Sequence, residues 1–229
     1  HAVNVDGTLN VLEAARDAGA RVVVASSAAV YGPPEDVPVS ETAPKTPTSP
    51  YGADKLFTDH YARTYTDLYD LPTVVLRYFN AYGPRQSGNE YGGVISTFVE
   101  QARAGAPLTV HGDGTQTRCF THVHDAVRAV LGLLEEPAAE GEIFNVGRRD
   151  EISIKELAER VRELSGSDVE ISYVPYEEVY GPNFEDMKRR TPDISKLRAA
   201  IDFEPAYSLD DILRDVIENV QSRAVSANR

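Results

Sequence analysis

Two runs of β-branched residues constrain this chain more than anything else in it. Arg21-Val-Val-Val-Ala-Ser-Ser27 and the stretch Leu71 to Tyr78, ending Thr-Val-Val-Leu-Arg-Tyr, show no alternation of apolar and polar residues. Runs of this kind are covered on both faces, which is the situation of strands in a parallel sheet. Each follows a helical pattern. Leu9, Leu12 and Ala15 recur at helical spacing over Gly7 to Ala18, where Gly19 stops the helix. Ser49-Pro50 opens the second helix, which carries Tyr51, Lys55, Tyr61 and Tyr65. Helix, strand, helix, strand at this tempo predicts right-handed βαβ crossovers and an α/β fold built on a doubly wound parallel sheet.

Beyond Phe79-Asn80 the pattern loosens. It predicts helices at Val94–Arg103, His124–Leu134, Ile154–Leu164 and Ser208–Val220, and strands at Leu108–His111, Glu142–Gly147 and Val169–Val174. Residues 224–229 read as a frayed tail. The Pro-rich connection from Gly32 to Pro50 is long for a compact domain, and such loops are commonly functional. A dinucleotide-binding sheet needs a Gly-rich turn after its first strand to seat a pyrophosphate. No Gly-x-Gly-x-x-Gly occurs here, so the sheet is expected to be N-terminally incomplete, the chain entering it mid-domain.

Tyr51-Gly-Ala-Asp-Lys55 carries the chemistry. A Tyr and a Lys four apart on a helix share one face. An ammonium beside a phenol favours the phenolate, drawing the tyrosine from a pKa of about 10 toward neutrality. With a hydroxyl from the strand end at Ser26-Ser27, the three side chains make a proton-transfer device able to deprotonate a sugar hydroxyl. Taken one at a time the residues allow plainer roles. Ser26 and Ser27 could bond only within the strand end, Asn80 could be a turn residue and Arg118 a surface charge. His122 and His124 lack a further ligand at zinc spacing, so no metal site is expected. No Gly-x-Ser-x-Gly elbow accompanies Ser27, which removes the hydrolase reading.

Charge excludes partners. The 229 residues carry a net charge of -13, which disfavours a nucleic-acid backbone. No apolar run approaches the ~20 residues of a membrane span. Only Lys45, Lys55, Lys155, Lys188 and Lys196 supply lysine, a composition that suits a high-salt cytoplasm or a GC-rich genome. Cys119 is the single cysteine, so no internal disulfide forms, and no export signal is evident. A cytoplasmic location is expected.

Read together, these strings resemble the extended short-chain dehydrogenase/reductases, and within them the nucleotide-sugar epimerase/dehydratase family. The likeness covers nearly the whole chain. Asn4-Val-Asp-Gly-Thr8 resembles the family's Asn-x-x-Gly-Thr helix start, and Ser26-Ser-Ala-Ala-Val-Tyr-Gly32 its catalytic serine strand. Ser49-Pro-Tyr-Gly-Ala-Asp-Lys55 matches the Tyr-Lys helix. Arg77-Tyr-Phe-Asn-Ala-Tyr-Gly-Pro-Arg85 resembles the turn from nucleotide sheet to sugar lobe, and Gly112 to Asp125 the diphosphate clamp. The resemblance implies a Rossmann-like sheet over 1–80, with 122–147 returning to it, and a smaller C-terminal α/β substrate lobe from 81–121 and 148–223. It implies NAD, tightly bound and regenerated each turnover, with Asn4, Ser26, Tyr51, Lys55 and Tyr78 on the cofactor. Ser27, Tyr51 and Lys55 would be catalytic, and Ser27, Asn80, Arg118 and Arg190 would hold a nucleotide-diphosphate sugar. It also implies a homodimer formed through a four-helix bundle.

Two departures bear on the branch. Dehydratases place an Asp-Glu pair before the Val-Tyr-Gly, and decarboxylating relatives keep the Glu; here Ala28-Ala29 stand there. Alanine does no acid-base work, so of the reactions the resemblance implies, epimerisation at C4 of a UDP-hexose type substrate is expected; the alternatives are another NDP-hexose epimerase, a 4,6-dehydratase with displaced acid-base groups, or a non-catalytic nucleotide-sugar binder lacking the NAD pyrophosphate site. An arginine of the 4-epimerases is replaced by Asn183, with Lys188, Arg189 or Arg190 as compensating cations. Arg190 falls where relatives vary the residue lining the hexose pocket, and a cation there suits either a uronate or a phosphate.

Overall fold

The structure is a computed structural model describing residues 1–86, 93–181 and 187–227. Helix α1 spans Gly7–Ala18, strand β1 Val22–Ser27, α2 Pro50–Tyr69 and β2 Thr73–Tyr78. They are followed by β3 (Ala81–Tyr82), α3 (Gly93–Ala104), β4 (Leu108–His111), β5 (Thr117–Cys119), β6 (Thr121–His122), α4 (Val123–Glu135) and β7 (Ile143–Val146). The remainder is β8 (Glu151–Ser153), α5 (Ile154–Ser165), β9 (Ile171–Val174), α6 (Tyr176–Tyr180), α7 (Ser195–Ile201) and α8 (Leu209–Ala227). Two compact units result. The first combines His1–Asn80, His124–Arg149 and Arg190–Ala206, and the second Ala81–Val123, Asp150–Arg189 and Tyr207–Arg229.

The first unit is organised by a parallel sheet in the order β1-β2-β7. Val74, Val75 and Leu76 of β2 are fully buried, as the lack of alternation predicts for a central strand. Helix α1 ends at Gly19, whose φ of 63° no β-branched residue would tolerate. Helix α2 starts where Ser49 Oγ accepts from the Gly52 N–H, with Pro50 at the first helical position. Its Ala62 packs against Val24 and Val75 on one face of the sheet. On another face Val74, Leu76, Phe144 and Val146 share a core with Ala129 and Leu133 of α4 and with Ile194, Leu197 and Phe203.

That last contact alters the expected chain path. The sequence reading assigns all of 148–223 to the smaller lobe, whereas 190–206 lies in the first unit. The cause is the apolar spacing of Ile194 and Leu197 on a short helix that sequence periodicity does not reveal, together with Phe203. Backbone bonds fix the segment further. Val39 N–H donates to Thr191 O at 2.8 Å and Asp193 N–H to Val39 O at 2.8 Å, so the Pro-rich loop is tied to it by a β-bridge.

The second unit has a separate core, in which Ile95, Phe98, Leu108, Leu157, Val161, Ile212 and Leu213 are buried. Helix α5 opens with a capping box between Ser153 and Glu156. His122 is buried, bonded to Asp215 at 3.0 Å and stacked on Tyr207, and Cys119 is a buried filler. The final helix continues to Ala227, past the point where the sequence reading ends it and into the stretch read as a tail. Among the described residues no helix is long and apolar enough to cross a membrane.

Leu197 has no exposed surface. Leu197→Ala is expected to destabilise the fold by about 2–5 kcal/mol, measured by denaturant unfolding. A change below the scale of a surface substitution would show that 190–206 is not part of this core.

Candidate active site

Ser27 is the last residue of β1, and its Oγ accepts from the Ala29 N–H at 3.2 Å, capping the 3₁₀ turn Ala28–Tyr31. The bond occupies one lone pair and leaves the O–H free to donate. Its neighbour Ser26 takes the opposite side of the sheet, because side chains alternate along a strand. Ser26 is 4% exposed and stands beside Asp59 under α2, outside hydrogen-bonding geometry. So only one of the two serines is presented at the strand end.

Tyr51 stands in the first turn of α2 and is 49% exposed. One turn on, Lys55 Nζ donates to Ala25 O of β1 at 2.9 Å and lies 5.8 Å from the centre of the Tyr51 ring. Burial pushes the Lys55 ammonium below its ordinary pKa, and Asp59 and Asp54 oppose that shift. The helix can come this close only because residue 52 is glycine. A Cβ there would sit 2.6 Å from Ala29 O and 3.0 Å from Pro47 Cβ. Gly52 therefore presses the first turn of α2 onto the turn that follows Ser27.

A cavity of about 440 Å³ opens beside Lys55, lined by Asn4, Gly7, Thr8 and Val11 of the α1 region and by Val22 to Ala25. It runs along the outer side of β1, the end strand of the sheet order β1-β2-β7. Asn4 and Lys55 are among its lining residues. Ser26 and Tyr78 are not among its lining residues. Tyr78 pairs in register with Ser27, and burial pushes its phenol up to about 12.

Asn80 follows β2 with φ 46°, a left-handed conformation that Asn tolerates better than most residues. Arg190 Nη2 donates to Asn80 Oδ1 at 3.3 Å, so two of the three expected substrate residues of the first unit are brought together. The tether of Thr191 and Asp193 to Val39 holds Arg190 in place. Arg118 stands on β5 of the second unit, its Nη1 donating to the carbonyls of Thr117 and Met187 at 2.8 and 2.7 Å. Arg189 is engaged by Glu151, with Nε 3.0 Å from Oε2. Asn183 lies outside the described residues.

Sequence reasoning missed a buried polar network behind this site. Arg77, 1% exposed, donates to Asp59 Oδ2, Tyr31 Oη and Glu41 O at 2.8, 2.8 and 3.1 Å. Tyr31 Oη in turn donates to Asn145 Oδ1 at 2.7 Å. The signal was present as a lone arginine inside an apolar strand and an aspartate four residues after Lys55.

Comparison with known proteins bears on the family and the fold. The family model described as the NAD dependent epimerase/dehydratase family matches residues 1–147. A UDP-N-acetyl-alpha-D-glucosaminuronate decarboxylase of Bacillus cytotoxicus is 40% identical over 94% of this chain and 68% of its own length. A UDP-glucose 4-epimerase of Mycolicibacterium smegmatis is 35% identical, over 97% of this chain and 69% of its own. Among solved structures, the UDP-glucuronic acid 4-epimerase of Bacillus cereus in complex with UDP-glucuronic acid and NAD superposes with a TM-score of 0.87 at 30% identity. That match covers 97% of this chain and 69% of the other. The fold and site define a Rossmann-type α/β protein of the extended short-chain dehydrogenase/reductase class. The chain belongs to the NAD-dependent epimerase/dehydratase family of nucleotide-sugar enzymes, and it spans about two-thirds of the length of these relatives.

Gly52→Ala tests the close approach of helix and turn. Alanine gains at most ~1 kcal/mol of helix propensity, while forcing a methyl into a packed contact costs ~1–3 kcal/mol. Net destabilisation is expected in thermal unfolding, with loss of protection from hydrogen exchange in the first turn of α2. A more stable variant would mean that the contact is slack.

Proposed function

We propose that this chain is the proton-transfer and substrate-binding part of an enzyme that epimerises a nucleotide-diphosphate sugar at C4 through a 4-keto intermediate. The observation that carries the reading is the seating of Lys55 on the Ala25 carbonyl of β1, 5.8 Å from the Tyr51 ring, with the first turn of their helix pressed onto the turn that follows Ser27 and alanine at positions 28 and 29. Ala28 is 2% exposed and packs among Val30, Tyr31, Val39 and Phe79, an apolar cluster with no acid-base side chain at that point. Dehydration and uronate decarboxylation, the chemistry named for the relative from Bacillus cytotoxicus, are disfavoured by that pair of alanines.

In this reading Tyr51, as phenolate, takes the proton of the 4-hydroxyl, and Ser27 donates a hydrogen bond to the same oxygen. When bound, NAD supplies hydride acceptance and return at C4. Lys55 sustains the phenolate by its charge and meets the ribose from the wall it shares with Asn4. After the keto sugar turns over, Tyr51 returns its proton to the 4-oxygen. Asn80 and Arg190 bind the sugar or its near phosphate, and Arg118 the diphosphate, a task suited to a planar guanidinium. The Gly-rich pyrophosphate seat is not within these 229 residues, so on their own they are expected not to turn over. Exposed Leu68 and Tyr69 on α2 support a homodimer through α1 and α2, and a single cysteine in the sequence suits a cytoplasmic setting.

The test is interconversion of UDP-glucose and UDP-galactose by the full-length protein with NAD. Tyr51→Phe should lower kcat by about 10²–10⁴, the usual contribution of a general base. Activity retained by the phenylalanine variant would sink the mechanism. Arg190→Ala should change the relative rates for glucose, N-acetylhexosamine and glucuronate substrates more than it changes NAD retention. Unchanged relative rates would remove Arg190 from the hexose pocket.

A further inference from the structure

One row of the sheet is polar and buried on all three strands. Ser26 of β1, Arg77 of β2 and Asn145 of β7 are adjacent in register, and all three are buried. The next row toward the strand ends is Ser27, Tyr78 and Val146. A guanidinium thus lies one residue behind the hydroxyl of the site. Burying a charge is costly unless every donor finds a partner, and an apolar row of the same volume is commonly neutral or more stable. Stability alone does not account for the row.

Its partners do. Asp59 lies on α2 one turn beyond Lys55 and two beyond Tyr51, and accepts from Arg77 Nε at 2.8 Å. Tyr31 ends the turn that Ser27 caps, and its hydroxyl lies between Arg77 and Asn145. Burial pushes that phenol up to about 12, so it remains a donor. Asn145 Nδ2 donates to Val39 O at 2.9 Å, and its backbone N–H to Glu41 Oε1 at 2.8 Å. The helix bearing Tyr51 and Lys55, the turn after Ser27 and the Pro-rich loop therefore all hang on one guanidinium. The bonds are directional, whereas the apolar contacts of Val24, Ala62 and Val75 beside them leave the helix free to rotate or slide by fractions of an ångström.

We propose that Arg77 and Asp59 are positioning residues: their buried pair sets the depth and rotation of α2 so that Tyr51 and Lys55 meet the Ser27 hydroxyl. Neither touches substrate or cofactor. The inference rests on the proton-transfer role given to Tyr51, and part of its test is independent of that role.

The double variant Arg77→Met, Asp59→Leu removes the brace without changing net charge. Its fold is read by thermal unfolding, and the setting of α2 by hydrogen exchange in its first two turns and by the NMR resonance of ¹³C-labelled Tyr51, Tyr51→Phe providing the assignment. With the brace gone the Tyr51 resonance should move and protection in the first turn of α2 should fall by about ten-fold or more, the fold remaining intact. In the full-length protein kcat should fall at least about ten-fold with little change in KM, as expected for a misplacement of groups used in the transition state. An intact fold with an unmoved Tyr51 resonance, unchanged protection and unchanged kcat would overturn the proposal. If the double variant does not fold, Asp59→Asn, which keeps shape and loses the charge, is read the same way. Wild-type protein inactive on every nucleotide sugar would refute the proposed function, while resonance and exchange would still decide on the brace.

Discussion

A single buried guanidinium organises the first unit of this protein. Arg77 is the penultimate residue of the central strand, flanked in register by Ser26 and Asn145, and its nitrogens reach one helix, one turn and one loop. Hydrophobic burial can hold a sheet and its helices together at native density, but many small displacements leave buried area nearly unchanged. Hydrogen bonds to a planar fork do not share that tolerance. The division of labour follows: apolar residues supply the stability of the sandwich, and the polar row supplies its alignment at the end of the sheet where Ser27 stands.

Glycine acts in the same sense from the other side. Gly52 brings the first turn of α2 against the carbonyl of Ala29, and Gly32, whose Cβ would fall 2.0 Å from Thr46 O, lets the loop fold back over the turn. A directional pair pulls from beneath, and a missing side chain permits contact above. Three segments that are far apart in sequence converge at one strand end as a result.

Much of this was legible in the sequence, for reasons that differ by element. Gly7–Ala18 and Leu108–His111 were readable residue for residue, because spacing and end signals are local. The helix that carries Tyr51 and Lys55 was announced by Ser49-Pro50, a local start signal of the same kind. What was not legible depends on contacts between distant segments. Helix α7 is seven residues long, too short for its period to register, and its docking is decided by Ile194 and Leu197 meeting β2 and β7. Strands β3, β5, β6 and β8 are two or three residues each, defined by partners and not by composition. The Ser26 assignment illustrates the limit: the motif names both serines, and only the alternation of the strand shows that one of them faces away.

The cap on Ser27 links fold to chemistry at the level of a single atom. A serine hydroxyl offers one donor and two acceptor sites, and here the Ala29 N–H takes an acceptor site. What remains is a donor and one lone pair, the set needed to hold a sugar oxygen while its proton moves. That cap also closes a turn that buries Ala28 and Val30 and returns Tyr31 to the guanidinium below. An acid at position 28 would have to enter the same largely apolar cluster, bringing a charge into a buried place. The alanine therefore belongs to the packing that fixes Ser27.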